Sequence, residues 1–198
     1  MSAILEKYLR NLKYMSADDI DRGLAFFKPL VLKKGDYFIK ENQVCTTVAF
    51  LLKGSVKAFT TDLEGNQKII CFGFENNFIT VLDSFQYQKP SLKNIQATEN
   101  CELVWISKTE LELLLAIAPT WQILAHQITT QEYLEKERYL YLFQNQLVEF
   151  KFQNLITHYP QIYKRIKLED QASFIGTTIR SFNRAKKNYF QKQIGQLS

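Results

Sequence analysis

The sequence predicts an α+β chain in which an all-β segment lies between helices and a helix-turn-helix stands toward the C-terminal end. Three observations predict it. Seven short β-branched or aromatic runs lie between Val31 and Ile106, a long helical stretch restarts at Pro119, and the twenty residues from Leu168 to Lys187 have the spacing of two short helices joined at a glycine.

Taken in order, residues 2–28 read as helical: Ile4, Leu5, Tyr8, Leu9 and Leu12 recur at three and four. Ser16 to Asp19 resembles a helix start before Ile20, Leu24 and Phe27, and Pro29 ends that segment. The runs Val31-Leu32, Tyr37–Ile39, Val48–Leu52, Ser55–Thr60, Lys68–Phe74, Lys93–Thr98 and Leu103–Ile106 are the expected strands. The turns between them carry Gly35, Gly54, Gly65 and Asn100. Such regular spacing points to an antiparallel barrel or sandwich.

Ser107 opens a helix, and Pro119 restarts it as a long one running to about Asn145. Its apolar residues, among them Trp121, Leu124, Ile128, Leu134 and Leu140, keep no single heptad, and Tyr133, Tyr139, Tyr141 and Phe143 add aromatic weight. A helix apolar on more than one face has more to bury than a neighbouring barrel covers, so a second copy is expected to pair with it; the alternative is a helix packed wholly within one subunit. A shorter helix, Leu147–Tyr159, stops at Pro160, and residues 161–167 connect it to the terminal unit. Within that unit a small Ala172 lets two helices cross closely, Gly176 can adopt the positive φ that ends the first helix, and Ile175, Phe182 and Ala185 close a small core. Beyond Lys187 the chain reads as a polar tail carrying Tyr189, Phe190 and Ile194.

Composition and charge narrow the function. Hydrophobic residues make up 46% and charged residues 23%, ordinary values for a globular chain. No apolar run approaches the roughly 18 residues of a membrane span, and the first ten residues lack a secretion pattern. Cys45, Cys71 and Cys101 are odd in number and widely spaced, as expected for reduced cysteines in the cytoplasm rather than a disulfide, zinc or iron–sulfur site. The net charge is +5, but it is uneven: residues 151–198 hold nine Lys or Arg against two acidic residues, while the first 150 hold sixteen against eighteen. A polyanionic partner is expected at the C-terminal end.

The order of helices, β-rich domain, long helix and terminal helix-turn-helix resembles the Crp/Fnr family of bacterial transcription regulators. The residues that carry the resemblance are Leu32-Lys33-Lys34-Gly35-Asp36, Phe50–Val56, Gly65, Ala172–Gly176 and Ser181–Arg184. It implies a β-roll of the cyclic-nucleotide-binding type, a dimerisation helix and a winged helix-turn-helix that binds palindromic double-stranded DNA, with RNA polymerase as a further partner. The corresponding division is 1–118 for the sensor-like domain, 119–145 for the dimerisation helix and 146–198 for the DNA-binding domain. No membrane association is expected.

The departures from the family are informative. Ligand-responsive members carry a Gly-Glu pair followed, about ten residues on, by Arg-Ser or Arg-Thr; here Thr80-Val81 and Ser91-Leu92 take those places. A cyclic nucleotide needs a cation for its phosphate and a carboxylate for its ribose, and neither stands there. The cassette is therefore expected to be degenerate, the roll's small-molecule effector is unknown, and no cofactor or metal is expected. Lys89 and Lys93 flank the cassette, where they could meet some other anion but are expected as solvated surface residues. His126 and His158, both in expected helices, give no haem or metal set.

In the terminal unit Thr178 is the expected N-cap of the second helix, whose first turns would read base edges in the major groove. Helical spacing points Ile179, Arg180, Asn183 and Arg184 away from the core for direct readout: arginine can donate twice to guanine, asparagine can pair with adenine, and isoleucine can meet a thymine methyl. Thr177, Thr178, Ser181, Lys186 and Lys187 suit backbone phosphates. The family carries Arg where Arg184 stands but an acidic or polar residue where Arg180 stands, so no family operator transfers. Two other readings remain. One is a small-molecule or protein-binding sensor module whose helix-turn-helix no longer binds DNA, favoured by Gln171 at a normally apolar position and by Ile179. The other is a metal enzyme built on a β-barrel, which would need histidine and carboxylate ligands from strands and finds no histidine there; no enzymatic role is expected.

Overall fold

The structure, a computed structural model, describes residues 3–144 and 146–195. It contains two compact units, one of Met1–Thr61 with Ile70–Gln131, the other of Asp62–Ile69 with Glu132–Ser198. The expected end of the long helix at Asn145 and the last three residues of the chain lie outside the described residues.

The first unit opens with α1 (Ala3–Arg10) and α2 (Ala17–Leu24). Ser16 caps α2 as its sequence suggests, accepting from the Asp19 backbone N–H at 3.1 Å. The helix ends well before Pro29, which lies in β1 (Lys28–Leu32). β1 is an edge strand, where a missing N–H is tolerated. Then come β2 (Tyr37–Ile39), β3 (Thr47–Lys53), β4 (Val56–Thr61), β5 (Gln67–Gly73), β6 (Phe78–Ile79), α3 (Leu82–Tyr87), β7 (Asn94–Ala97), β8 (Cys101–Ser107) and α4 (Lys108–Ile117). All seven expected strands are present. β6 and α3 are additions: a two-residue strand leaves no periodic signal, and α3 has neither a side-chain N-cap bond nor a glycine stop, ending instead at Gln88 with φ 51°.

The strands form two four-stranded sheets, ordered β1-β8-β3-β6 and β2-β7-β4-β5. The pairings of β8 with β1 and β3, and of β7 with β2 and β4, are antiparallel. Alternation explains why β3 is apolar from Val48 to Leu52. Ala49 and Leu51 join Val56, Ala58, Ile95 and Leu103 in a core drawn from both sheets, while Phe50 and Leu52 face a second core with Leu5, Leu9, Leu114 and Trp121 from the flanking helices.

The β8–α4 junction carries a capping box: Ser107 Oγ accepts from Glu110 N at 3.2 Å, and Ser107 N donates to Glu110 Oε2 at 3.1 Å. Lys28 Nζ donates to Glu110 Oε1 at 2.6 Å. Foremost the Lys28 ammonium, then the Ser107 donors, lower the Glu110 carboxyl to about 2. Its stabilising contribution is therefore full above about pH 4.5, the ordinary glutamate value, and is lost as the pH falls toward about 2. Acid titrations of stability should show a shallower slope across that window for Glu110→Gln than for the wild type.

α5 (Pro119–Phe143) begins in the first unit and ends in the second, which continues with α6 (Val148–His158), α7 (Pro160–Arg165), α8 (Leu168–Phe174) and α9 (Ile179–Gly195). Two sequence expectations change here. Residues 161–167 are not a plain connector: Pro160, read as the stop of α6, is also the first residue of α7, where a missing N–H has no cost. The polar tail after Lys187 is instead the second half of α9, held because Tyr189 and Phe190 reach the Phe152 ring at 5.7 and 6.4 Å. Among the described residues no strand follows α9, so the strands of a wing are not among them. Nor is any described helix long and apolar enough to cross a membrane.

Candidate nucleic-acid interface

The helix-turn-helix is built by local rules. α8 ends in a Schellman arrangement in which Thr177 N donates to Ala172 O at 2.9 Å and Gly176 N to Ser173 O at 3.0 Å, with Gly176 at φ 67°. A side chain on Gly176 would meet only ordinary contact, so glycine is required there for its backbone conformation rather than for space. α9 then starts at a capped end: Thr178 Oγ1 accepts from Ser181 N at 3.2 Å, and Thr178 O accepts from Phe182 N at 2.9 Å. Ala172, Ile175, Phe182 and Ala185 are all buried, as the twenty-residue spacing requires.

Phe152 of α6 holds this unit together from behind. Fully buried, it meets Phe182 of α9 edge-on at 5.3 Å and Tyr163 of α7 at 5.9 Å. A second aromatic group joins α5 to α8: Phe143 and Phe174 are 5.5 Å apart, Tyr139 and Phe174 5.2 Å, and Tyr139 Oη donates to Phe174 O at 2.8 Å. Beside them burial, and then the Glu135 carboxylate, pushes the Tyr159 phenol up to about 12, keeping it un-ionised. Ser173 fixes the other side of α8, donating to Gln67 O at 3.0 Å and accepting from Ile69 N at 3.1 Å.

With α8 and α9 so held, the expected base-reading residues fall together. Arg180, Asn183, Arg184 and Lys187 are exposed at one-turn spacing along α9, and their side chains have no hydrogen bond or ion pair among the described residues. Ile179 stands at the start of the same helix, 45% exposed. Thr178 is exposed, while Thr177 and Ser181 are half-buried beside it. Lys186 is turned away from the others, its ammonium over the Tyr163 ring at 5.6 Å, so its charge serves the contact between α9 and α7.

Three residues have structural roles here that the sequence does not assign to them. Gln171 is buried, and its Nε2 donates to Ile166 O at 2.6 Å and to Tyr163 O at 3.2 Å, satisfying carbonyls at the α7–α8 junction that an apolar residue would leave open. Tyr139 and Ser173 act across long sequence separations that no local pattern reveals. Their only signal is type: a tyrosine late in a long helix and a hydroxyl inside a seven-residue one.

The cassette residues lie apart, around α3 in the first unit. Thr80 Oγ1 donates to Thr47 O at 3.0 Å, Val81 is fully buried, Ser91 Oγ donates to Lys93 O at 2.6 Å, and Leu92 is 68% exposed. Around them Ser84 Oγ accepts from Cys45 N at 2.9 Å, and Lys108 Nζ donates to Phe85 O and Gln86 O, both at 2.9 Å, closing the C-terminal end of α3. Cys45, Ile79, Val81 and Phe85 belong to the core of the roll. Lys89 pairs with Asp83 at 3.5 Å. A shallow recess of about 270 Å³, lined by Leu30, Leu32, Tyr37, Phe38, Thr47 and Trp105, is apolar and includes no cassette residue. His126 and His158 are both exposed, and among the described residues no cluster of three His, Cys, Asp or Glu could hold a metal ion.

Residues 29–117 match the family model of the cyclic nucleotide-binding domain. Among solved structures, FixK2 from Bradyrhizobium japonicum is 13% identical over 85% of this chain and 86% of its own, with a TM-score of 0.71. A Crp/Fnr-family transcriptional regulator from Eubacterium rectale is 14% identical over 94% and 88%, with a TM-score of 0.69. The chain has the Crp/Fnr fold. The c-di-GMP-responsive global regulator CLP from Xanthomonas campestris has the same fold, at 15% identity over 90% of this chain and 93% of its own and a TM-score of 0.70. No curated protein matches the chain in sequence. Within the Crp/Fnr fold the first unit holds the β-roll apart from the Gln67–Ile69 end of β5, and the second holds the terminal helix-turn-helix.

Proposed function

We propose that the chain is a sequence-specific, double-stranded-DNA-binding transcription regulator of the bacterial cytoplasm, with no enzymatic role. The observation that carries this reading is the row of exposed Arg180, Asn183, Arg184 and Lys187 on α9, beginning in the first turn after the Thr178 cap, in the part of the chain with the basic surplus. Arg180 and Arg184 read guanines, Asn183 an adenine and Ile179 a thymine methyl. Thr177, Thr178, Ser181 and Lys187 hold phosphates, and Lys186, spent on Tyr163, contributes least.

The regulator works as a homodimer on a palindromic site, pairing through α5. Every residue from Gln131 to Arg138 is exposed, including Tyr133 at 67% and Leu134 at 52%, and Leu140 and Tyr141 follow at 46% and 74%. So exposed a stretch of helix, with Tyr133, Leu134, Leu140 and Tyr141 uncovered, suits a partner, and a second copy presents the same surface. In these functional terms residues 1–118 are the sensor-like roll, 119–145 the dimerisation helix and 146–198 the DNA-binding domain. The roll does not respond to cyclic AMP or cyclic GMP, because the positions for a phosphate cation and a ribose carboxylate hold Thr80, Val81, Ser91 and Leu92; any effector belongs to another chemical class. The family resemblance alone suggests RNA polymerase as a partner. Gln171 no longer favours a domain that has lost DNA binding, since its amide serves the domain's own backbone.

Selection of bound duplexes from random DNA tests the reading and is expected to return a palindrome. Binding to it should be unchanged by cyclic AMP or cyclic GMP. Arg184→Ala should weaken that duplex by about 1–3 kcal/mol and relax one base position in each half-site. Equal losses on selected and random DNA would reduce Arg184 to a phosphate contact, and no binding at low salt would overturn the proposal.

A further inference from the structure

We infer that Lys151, on α6 and outside the helix-turn-helix itself, is a phosphate contact of the DNA interface; this rests on the DNA-binding reading above. Lys151 is one position from Phe152, the fully buried ring that packs on α9, so its side chain leaves α6 about 100° round the helix from the core. That direction carries the ammonium to the turn between α8 and α9: Nζ lies 3.9 Å from the place a Cβ would occupy on Gly176. Gly176 is exposed and leads directly into Thr177 and Thr178, the hydroxyl residues at the start of α9.

The ammonium has no hydrogen bond or ion pair among the described residues, unlike Lys108, which donates to Phe85 O, Lys167, which pairs with Asp170, and Lys186, which lies over the Tyr163 ring. A half-buried lysine stem ending in an uncompensated charge at the entrance to a reading helix is suited to an anion outside the protein. The first turn of α9 adds donors of the same polarity, because its leading backbone N–H groups point toward the same side as its positive dipole end. A lysine is a point charge without the fork that reads a base edge, so Lys151 contributes to affinity on any sequence and adds nothing to specificity.

The test is a salt titration of duplex binding by the full-length wild type, Lys151→Gln and Lys151→Arg, each on the selected palindrome and on random duplex. One lost phosphate contact per subunit lowers the slope of log affinity against log salt by about 0.9 for each site it occupies. Between 50 and 200 mM salt, the advantage of the wild type over Lys151→Gln should therefore shrink about 3- to 4-fold per contact, equally on both duplexes. Lys151→Arg should keep the wild-type slope. Weaker binding by Lys151→Gln with an unchanged slope would identify a structural role at the turn and overturn the inference, as would a loss confined to the palindrome or wild-type behaviour throughout. Wild-type protein that binds neither duplex at low salt would remove the DNA-binding reading itself, a different outcome from any of these.

Discussion

Replacing Phe152 with alanine should destabilise the C-terminal unit by about 3–5 kcal/mol and abolish duplex binding with it. The size follows from what the ring touches. It is fully buried and meets four aromatic partners, Tyr163, Phe182, Tyr189 and Phe190, at 5.3 to 6.4 Å. They come from two other helices, α7 and α9, so no single rotamer change can refill the space. The loss combines transfer of the ring out of an apolar environment with a residual cavity. A small domain has total stability of only about 5–15 kcal/mol, so a loss of this size is a large fraction of it. Urea denaturation followed by circular dichroism gives the change directly. Phe152→Leu, which keeps most of the apolar volume, should recover much of the stability and the binding. If Phe152→Ala left both intact, the reading helix would have to be held from elsewhere.

The legible parts of this chain were those specified by neighbouring residues. Ser16 and Ser107 announced two helices because a cap and its N3 partner lie three positions apart, and Gly176 announced the turn because the Schellman bonds close within six residues. Alternation in β3 was equally local, although its two-sided burial was visible only as a continuous apolar run. α3, β6 and α7 were not legible: each is short, and none has a side-chain cap bond, their conformations being set by tertiary packing. The same division runs through the candidate interface. Arg180, Asn183 and Arg184 could be placed by helical spacing from Phe182 and Ala185, whereas Lys186 could not be separated from Lys187 without Tyr163, fully 23 positions earlier. Lys151 gave no signal, since only the packing of α6 under the turn brings it near Gly176.

Trp121→Ala should destabilise the first unit by about 3–5 kcal/mol, and Gly23→Ala by a smaller amount, about 1–3 kcal/mol, for the opposite reason. The indole is 3% exposed, packs beside Phe27 at 5.8 Å, and its Nε1 donates to Asp19 O at 2.8 Å. Asp19 Oδ2 in turn accepts from Thr120 Oγ1 at 2.7 Å and from Thr120 N at 3.3 Å, so α2 is joined to the first turn of α5 by an apolar contact and three long-range polar ones. Removing the ring opens a cavity and leaves the Asp19 carbonyl without that donor. Gly23 is the other half of the same joint: a Cβ there would overlap the Trp121 indole, and its φ is not positive, so glycine is needed for space alone. The two substitutions should therefore be strongly non-additive. In the Trp121→Ala background the methyl of Gly23→Ala points into vacated volume, and its cost should vanish or turn into a small gain. A four-member denaturation cycle of wild type, both single variants and the double variant measures this coupling. Additive losses would mean that α2 and α5 relax independently, and that the root of the proposed dimerisation helix is not set by this contact.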